Sequence, residues 1–512
     1  MNARALPGSR QSSSLLHQVW LAVVLLAFPS LPSYAEEARI PDQSIKGAIE
    51  RELLFDQAVP LPALGIRIVD GIVTLTGSVD TILAKDRAAR IVRTIRGVRS
   101  VVNRIEVRPS PLRTDEMIKA DIMAALVEDP AAESFEIGAA VDEGRVTLVG
   151  VVDSRQERQL AEQITKGVAG VRAVDNTIKI ERKAKRTDRE IEAEIEQTLR
   201  RDALVDGELI QVTVNKGNVA LSGTVGSAAE KHRAVLRAWV AGVERVDASA
   251  LQVARMPRDE TLMGDKYDDL SDDEIRDAVH DALSLDPRVS PFAVTATVAD
   301  GAVTLEGTVN NLKAKRAAAQ DARNTTGVET VNNLIAVRRP QELSDSQIAG
   351  RVRNALQRDP SVSKHDVAVS VHDGVVRLSG TVDTLYEKAQ ADDVAARGRG
   401  VKEVENTLSV AHPEMPLVYD PYVNDWYVYD YEWYSYDQAR TKSDEEIKRA
   451  IQGELWWSPF VDDDQVTVTV RNGIATLTGA VDSPAEKRAA VENAFEGGAV
   501  WVINSLLVAG GG

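Results

Sequence analysis

A chain of 512 residues, 44% apolar and 27% charged, is too long for one hydrophobic core and too apolar to be a disordered tail. Its net charge of −17 sets the average surface against nucleic acid and anionic membrane, so binding of either kind needs a local basic patch. With no cysteine, disulfides and thiolate chemistry are excluded.

At the N-terminus, Arg4 and Arg10 precede an apolar run from Val19 to Leu31, and Ser33-Tyr34-Ala35 stands ahead of Glu36-Glu37. This is the pattern of a secretory signal peptide over residues 1–35, with an uncleaved anchor as the alternative. The run is 13 residues long and contains Pro29, short of the roughly 20 residues that a membrane span needs. Cleavage would remove two arginines and no acid, taking the charge from −17 to −19. A secreted chain without disulfides must rely on packed cores.

The stretch Asp300–Val309 has five close copies, Asp70–Val79, Glu143–Val152, Lys216–Val225, Asp373–Val382 and Asn472–Val481, each with two glycines six residues apart. Such self-similarity marks a repeat architecture. The second glycines, Gly77, Gly150, Gly223, Gly307, Gly380 and Gly479, are spaced 73, 73, 84, 73 and 99 residues apart. An isoleucine lies 32 residues before each of them, at Ile45, Ile118, Ile191, Ile275, Ile348 and Ile447, so one unit recurs in register. The units are expected at 41–108, 114–182, 187–254, 271–338, 344–411 and 443–508. The two long intervals hold a linker at 255–270 and an insert at 412–442.

Each unit opens on a helix with apolar residues at i, i+4 and i+8, as in Ile191, Ile195 and Leu199. Capping boxes mark its start at Thr187/Glu190, Ser271/Glu274, Ser344/Gln347 and Ser443/Glu446. An alternating strand follows, then a tight hairpin turn closed by Gly71, Gly144, Gly217, Gly301, Gly374 or Gly473, then a second strand. The second glycine, inside that strand, reads as a bulge or a close approach of a helix to the backbone rather than a ligand contact. An Ala/Glu/Lys/Arg-rich helix comes next, stopped in five units by Gly-Val, and a last strand carries Asn103, Asn176, Asn333, Asn406 or Asn504; the third unit has Ala248. The expected fold is α+β. Each unit is a two-layer sandwich ordered helix-strand-strand-helix-strand, with both helices on one face of a three-stranded mixed sheet and the crossover setting the third strand parallel to the second.

The Gly-x-Val-x-Leu-x-Gly-x-Val core, the Ala-rich helix, Gly-Val and Val-x-Asn resemble the BON domain, and the resemblance covers all six units. The chain is similar to the osmotically inducible periplasmic proteins of Gram-negative bacteria, which carry two such domains. The resemblance implies a non-enzymatic periplasmic protein that supports the envelope under osmotic stress by binding phospholipid membrane surfaces or envelope proteins. It fixes no ligand residue.

The residues add little chemistry to this. No two of the six histidines lie four apart, and all are read as solvated on helix surfaces, turns and linkers, so no metal, cofactor, catalytic group, small-molecule substrate or nucleic-acid site is expected. The acidic runs Asp268 to Glu274 and Asp462–Asp464 lack calcium-loop spacing and read as helix-start electrostatics and solvated loop. Two features differ between the copies. Unit 1 is net +3 where unit 2 is net −6, and its second helix carries Lys85, Arg87, Arg90, Arg93 and Arg96, a candidate patch for anionic lipid or simply a solvated face. The insert holds seven of the ten tyrosines, and Tyr422, Trp426, Tyr427, Tyr429, Tyr431, Trp433 and Tyr434 are either a strap packed across neighbouring units or an exposed aromatic platform.

Overall fold

The computed structural model describes residues 40–56, 58–110, 112–132, 136–181, 186–254, 270–338, 343–411 and 442–508. The signal-peptide reading lies outside these residues, and so do all but the last residue of the linker and all but the last residue of the aromatic insert. No described helix is long and apolar enough to cross a membrane.

Six sandwiches follow one another. Their first helices are α1 (Asp42–Phe55), α3 (Asp115–Glu128), α5 (Asp188–Arg201), α7 (Asp272–Leu285), α9 (Asp345–Arg358) and α11 (Asp444–Trp457). Their second helices are α2 (Ile82–Arg93), α4 (Arg155–Lys166), α6 (Ala228–Arg237), α8 (Leu312–Arg323), α10 (Leu385–Ala396) and α12 (Pro484–Glu496). In every unit the hairpin strands pair antiparallel and the third strand pairs parallel with the central one, as the crossover requires. Units 3 and 6 have an unbroken third strand, Arg245–Val253 and Trp501–Val508. In units 1, 2, 4 and 5 it is interrupted after the recurrent asparagine. There Asn103 Nδ2 donates to the Lys85 carbonyl of α2 at 2.8 Å while its Oδ1 accepts from Ile105 N–H, tying the strand to the second helix.

The stripe of each first helix is the centre of its unit's core: Ile191, Ile195 and Leu199 are almost fully buried against Val219, Leu221 and Leu251. The residue before each hairpin glycine has φ between 48° and 54°, the left-handed geometry of a tight turn. A contact not visible in the motif holds that turn. The first residue of each first helix is aspartate, and its carboxylate accepts the two turn N–H groups at 2.7–3.1 Å, Asp188 from Lys216 and Gly217 being one of six copies. The second glycine answers a different demand. At Gly307 φ is +135° and a Cβ would lie 2.3 Å from the carbonyl oxygen of Ala293, so the close neighbour is the backbone leading into the partner strand and not a helix.

A second aspartate recurs where the first helix ends, at Asp56, Asp129, Asp202, Asp286 and Asp359, with Ser458 in unit 6. Its Oδ1 accepts the N–H two residues on, at 2.8–3.1 Å. Its counter-charge differs between copies. Arg87 meets Asp56 at 2.5 Å, Arg233 and Arg237 both meet Asp202, and Arg288 meets Asp286 at 2.6 Å. Burial disfavours the charge of Asp202, but its two arginines win and lower its pKa to about 2. Asp359 has only Gln390, at 2.7 Å, and backbone donors in direct contact, so burial prevails and raises its pKa to about 6.

The units close on one another rather than stringing out. The second helix of unit 1 puts its first residue, Ile82, into the core of unit 2; that of unit 2 sets Arg155 3.6 Å over the Trp239 ring of unit 3; that of unit 3 puts Ala228 into the core of unit 1. In units 4 to 6 two of these junctions recur, Leu312 entering the core of unit 5 and Arg488 of unit 6 donating to the Arg323 carbonyl of unit 4. The two rings face each other through a second recurrent contact, in which an N–H just past a second helix donates to the last carbonyl of a first helix. Arg96 donates to Trp457, Ala169 to Arg358 and Thr326 to Arg201, at 2.7–3.1 Å, pairing units 1 with 6, 2 with 5 and 4 with 3. This is the contact pattern of a trimer of dimers, built by one chain.

Two outcomes test these assignments. Gly307→Ala, strained in φ and against a backbone oxygen, is expected to destabilise unit 4 by about 2 kcal/mol or more, whereas Gly453→Ala, helical with open space around its Cβ position, gains about 0.5–1 kcal/mol; hydrogen exchange of the two units reads both. Between pH about 4 and about 6 the folded chain keeps a proton on Asp359 that the unfolded chain has released, so stability falls as pH rises through that window, by about 3 kcal/mol at most. Asp359→Asn is expected to protect α9 and α10 more than wild type at neutral pH and no more at pH about 4; an equal gap at both pH values contradicts the assignment.

Candidate functional site

In each unit the first helix buries one stripe, but the second helix is covered on most sides: in α10 every residue is buried except Tyr386 and Lys388. The cause is the closure of the rings, which turns the second helices inward. Those of units 1 to 5 border a central cavity of about 760 Å³.

The second helix of unit 1, which carries the candidate basic patch, is one of them. Lys85, Arg87, Arg90 and Arg93 line the cavity instead of an open surface. Arg87 is 6% exposed, is bonded to Asp56 and lies 5.0 Å over the Tyr386 ring of unit 5. Arg96, 9% exposed, reaches unit 6, with Nη1 3.2 Å from Asp463, Nη2 donating to the Ser458 carbonyl and the guanidinium 5.4 Å over Trp456. Asp463 is therefore an interface residue, where its acidic run had read as solvated loop. The periodicity of a helix shows which side faces its own sheet; it does not distinguish water from another unit on the opposite side.

Charge around the cavity is extensively paired between units. Lys166 of unit 2 meets Asp86 of unit 1 at 2.9 Å, Lys313 of unit 4 meets Asp393 of unit 5 at 2.5 Å, and Arg397 also bonds Asp393. Behind that pair Arg316 bonds Asp392. Burial and the neighbouring Asp286 push the pKa of Asp321 well above its ordinary value. His232 lines the cavity too. His232 is exposed to the cavity, and the surrounding protein and the charge of Arg93 lower its pKa to about 4.

His365 is half-buried, with Nε2 3.0 Å from Glu387 Oε2 and 4.0 Å from Asp383. Three such groups could approach one metal ion. However, Glu387 Oε2 already accepts the N–H groups of Asp383 and Thr384 as a helix cap, and Lys364 Nζ lies 2.6 Å from its other oxygen. The ammonium supplies the positive charge that a metal would bring. The aromatic residues Tyr422, Trp426, Tyr427, Tyr429, Tyr431, Trp433 and Tyr434 lie outside the described residues.

On the outside, the third strand of unit 6 is an edge strand, and Trp501, Ile503 and Leu507 project from it at 50%, 48% and 71% exposure. Other apolar groups are exposed on the second and third strands of unit 1, at Ile72 and Val102, and on the second strand of unit 2, at Val149 and Val151.

Known proteins resemble this chain as follows. It is 35% identical over 144 residues to osmotically-inducible protein Y of Escherichia coli K12, covering 27% of this chain and 72% of that protein. It is 30% identical over 146 residues to an uncharacterized protein in the gshII 5′ region of Anaplasma centrale, covering 28% and 95%. Two structures of CdsD, a structural protein of the type III secretion system of Chlamydia trachomatis, align with all of their length and 44% or 42% of this chain at 17–18% identity; their TM-score of 0.12 carries no argument. The BON domain family matches at residues 41–109, 114–182, 187–255, 271–339, 344–412 and 443–510, so the chain belongs to the BON domain family and contains six of its domains.

Proposed function

We propose that this chain is a non-enzymatic periplasmic protein of the osmotic-stress response that associates with phospholipid membrane surfaces and supports the envelope. The observation that carries the stress assignment is the 35% identity to a protein named for osmotic induction. Support for membrane contact comes from unit 6, where Trp501, Ile503 and Leu507 place an amphipathic ring and two aliphatic groups on the outer face of a sheet edge. With the basic helix turned inward and a net charge of −17, the contact rests on apolar insertion and not on charge.

A second reading is a scaffold for envelope proteins. It is favoured by the apolar outer faces of units 1 and 2, because several weak contacts on one body add through effective concentration. Replacing Trp501, Ile503 and Leu507 together by serine separates the two. The membrane reading expects wild-type co-sedimentation with phosphatidylglycerol vesicles that resists added salt, and loss of most of it in the variant. Wild-type protein that stays in the supernatant, while cross-linking in cells still captures envelope proteins, supports the scaffold instead.

A further inference from the structure

We propose that units 1 and 6 are joined through Glu52 and Glu454, which hold one proton between them, and that the joint loosens when this proton is released to solvent. The inference is independent of what unit 6 touches outside the molecule.

Position in the repeat brings the two acids together. Each stands ten residues after the aspartate that opens its first helix, Asp42 in α1 and Asp444 in α11. At the other two joints between the rings the same place holds Ala125 and Ala355, and Thr198 and Ala282, all small and without charge. Ala125 and Ala355 border one small cavity of about 80 Å³, so the position meets its counterpart across the joint. Where the other pairs bring small groups, units 1 and 6 bring two carboxyl groups.

These groups are nearly closed to water. Glu52 is 8% exposed and the Glu454 side chain 15%. Arg51 Nη2 lies 3.3 Å from Glu52 Oε1 and 3.8 Å from Glu454 Oε2, so one guanidinium serves both. The two carboxyl groups are also in hydrogen-bond contact with each other. Ionised carboxylates only accept hydrogen bonds, so that contact requires a proton between them. Without it, two like charges meet inside protein, where they repel more strongly than in water.

The other facing groups do not remove this conflict. From α12 the charge of Glu496 acts against ionisation of Glu52, while Lys442, ahead of α11, favours ionised Glu454. At the places where α12 has Asn493 and Glu496, α2 has Ile91 and Thr94, which carry no charge. Burial first, and then Glu454, raise the pKa of Glu52 well above its ordinary value; burial raises that of Glu454 against the pull of Arg51. A proton held more tightly in the closed joint than in the open one favours closure at low pH, and that contribution is lost as pH rises through the closed-joint pKa. The contacts it acts on lie about one turn further along α11, where Arg96 N–H donates to the Trp457 carbonyl at 3.1 Å and Trp457 packs against the core of unit 1.

Spin labels on Arg67→Cys in unit 1 and Thr469→Cys in unit 6, exposed positions of a full chain that has no cysteine of its own, report the distance between the two units. With the other residues native, one narrow distance is expected at about pH 5 and a second, longer one that grows towards about pH 9. Glu52→Gln and, separately, Glu454→Gln keep the shape and remove the conflict, and each is expected to reduce the longer population at about pH 9 by at least about tenfold. Either variant suffices should the other fail to fold. Asp359→Asn, which removes the acid buried in unit 5, is expected to leave the pH course unchanged and so separates this joint from the pH dependence of that unit. Exchange of the Arg96 N–H, corrected for its intrinsic rate, is expected to follow the same course. A distance that does not change with pH, a longer one that grows as pH falls, or an unaltered course in the Gln variants overturns the proposal.

Discussion

The contact on which each unit depends is the carboxylate that closes helix onto hairpin. An aspartate in the first helical turn accepts both N–H groups of a turn about 28 residues later, six times over, as Asp272 does from Asp300 and Gly301. Two physical effects coincide there. The positive end of a helix favours the anion, and the left-handed turn points two adjacent N–H groups in one direction, where a carboxylate can take both. For Asp188 those two hydrogen bonds are the leading cause of a pKa below the ordinary value, so the anion persists under mild acid. The clamp fixes the angle between first helix and sheet, and with it the groove into which Ile191, Ile195 and Leu199 descend.

From that fixed angle the rest of the architecture follows in steps. A domain of about 70 residues buries too little apolar surface to be securely stable alone. Here the shortfall is met by neighbours, since Ile82, Ala228 and Leu312 each complete a core belonging to a different unit. Carrying the second helix into a neighbour necessarily turns its polar side inward as well, which is why so many charged groups are found at the junctions. Buried ions are tolerated only when partnered. Asp202 holds two arginines, whereas burial and the facing Asp286 raise the pKa of Asp321.

Much of the single unit was legible in the chain, because its signals are local: the helical stripe at Ile447, Ile451 and Leu455, the capping boxes at Ser271 and Ser443, and the turn at Asn472-Gly473 all occur in the structure. The relations between units were not legible. Nothing about Arg87 in the sequence distinguishes a solvated lysine-and-arginine face from one opposed by Asp56 and Tyr386, because its partners are 31 and 299 residues away. One signal was available and unread. The aspartate at 56, 129, 202, 286 and 359 keeps a constant frame, and a repeated acid at the end of a helix, where the dipole disfavours it, requires a specific partner.

That frame also explains what is gained by writing six domains into one chain. In an assembly of identical subunits any residue on the second helix appears at every symmetry-related place, so six arginines would face the centre together and repel. Here the position of Arg87 is occupied in the other units by Leu160, Arg233, Ala317, Gln390 and Ala489. The contacts that pair the two rings keep a common pattern, because backbone N–H and carbonyl groups make them and side chains are free to vary. The interior therefore departs from it. α2 brings Arg87 to the cavity where α10 brings Gln390 and Tyr386, so the lining differs from one unit to the next.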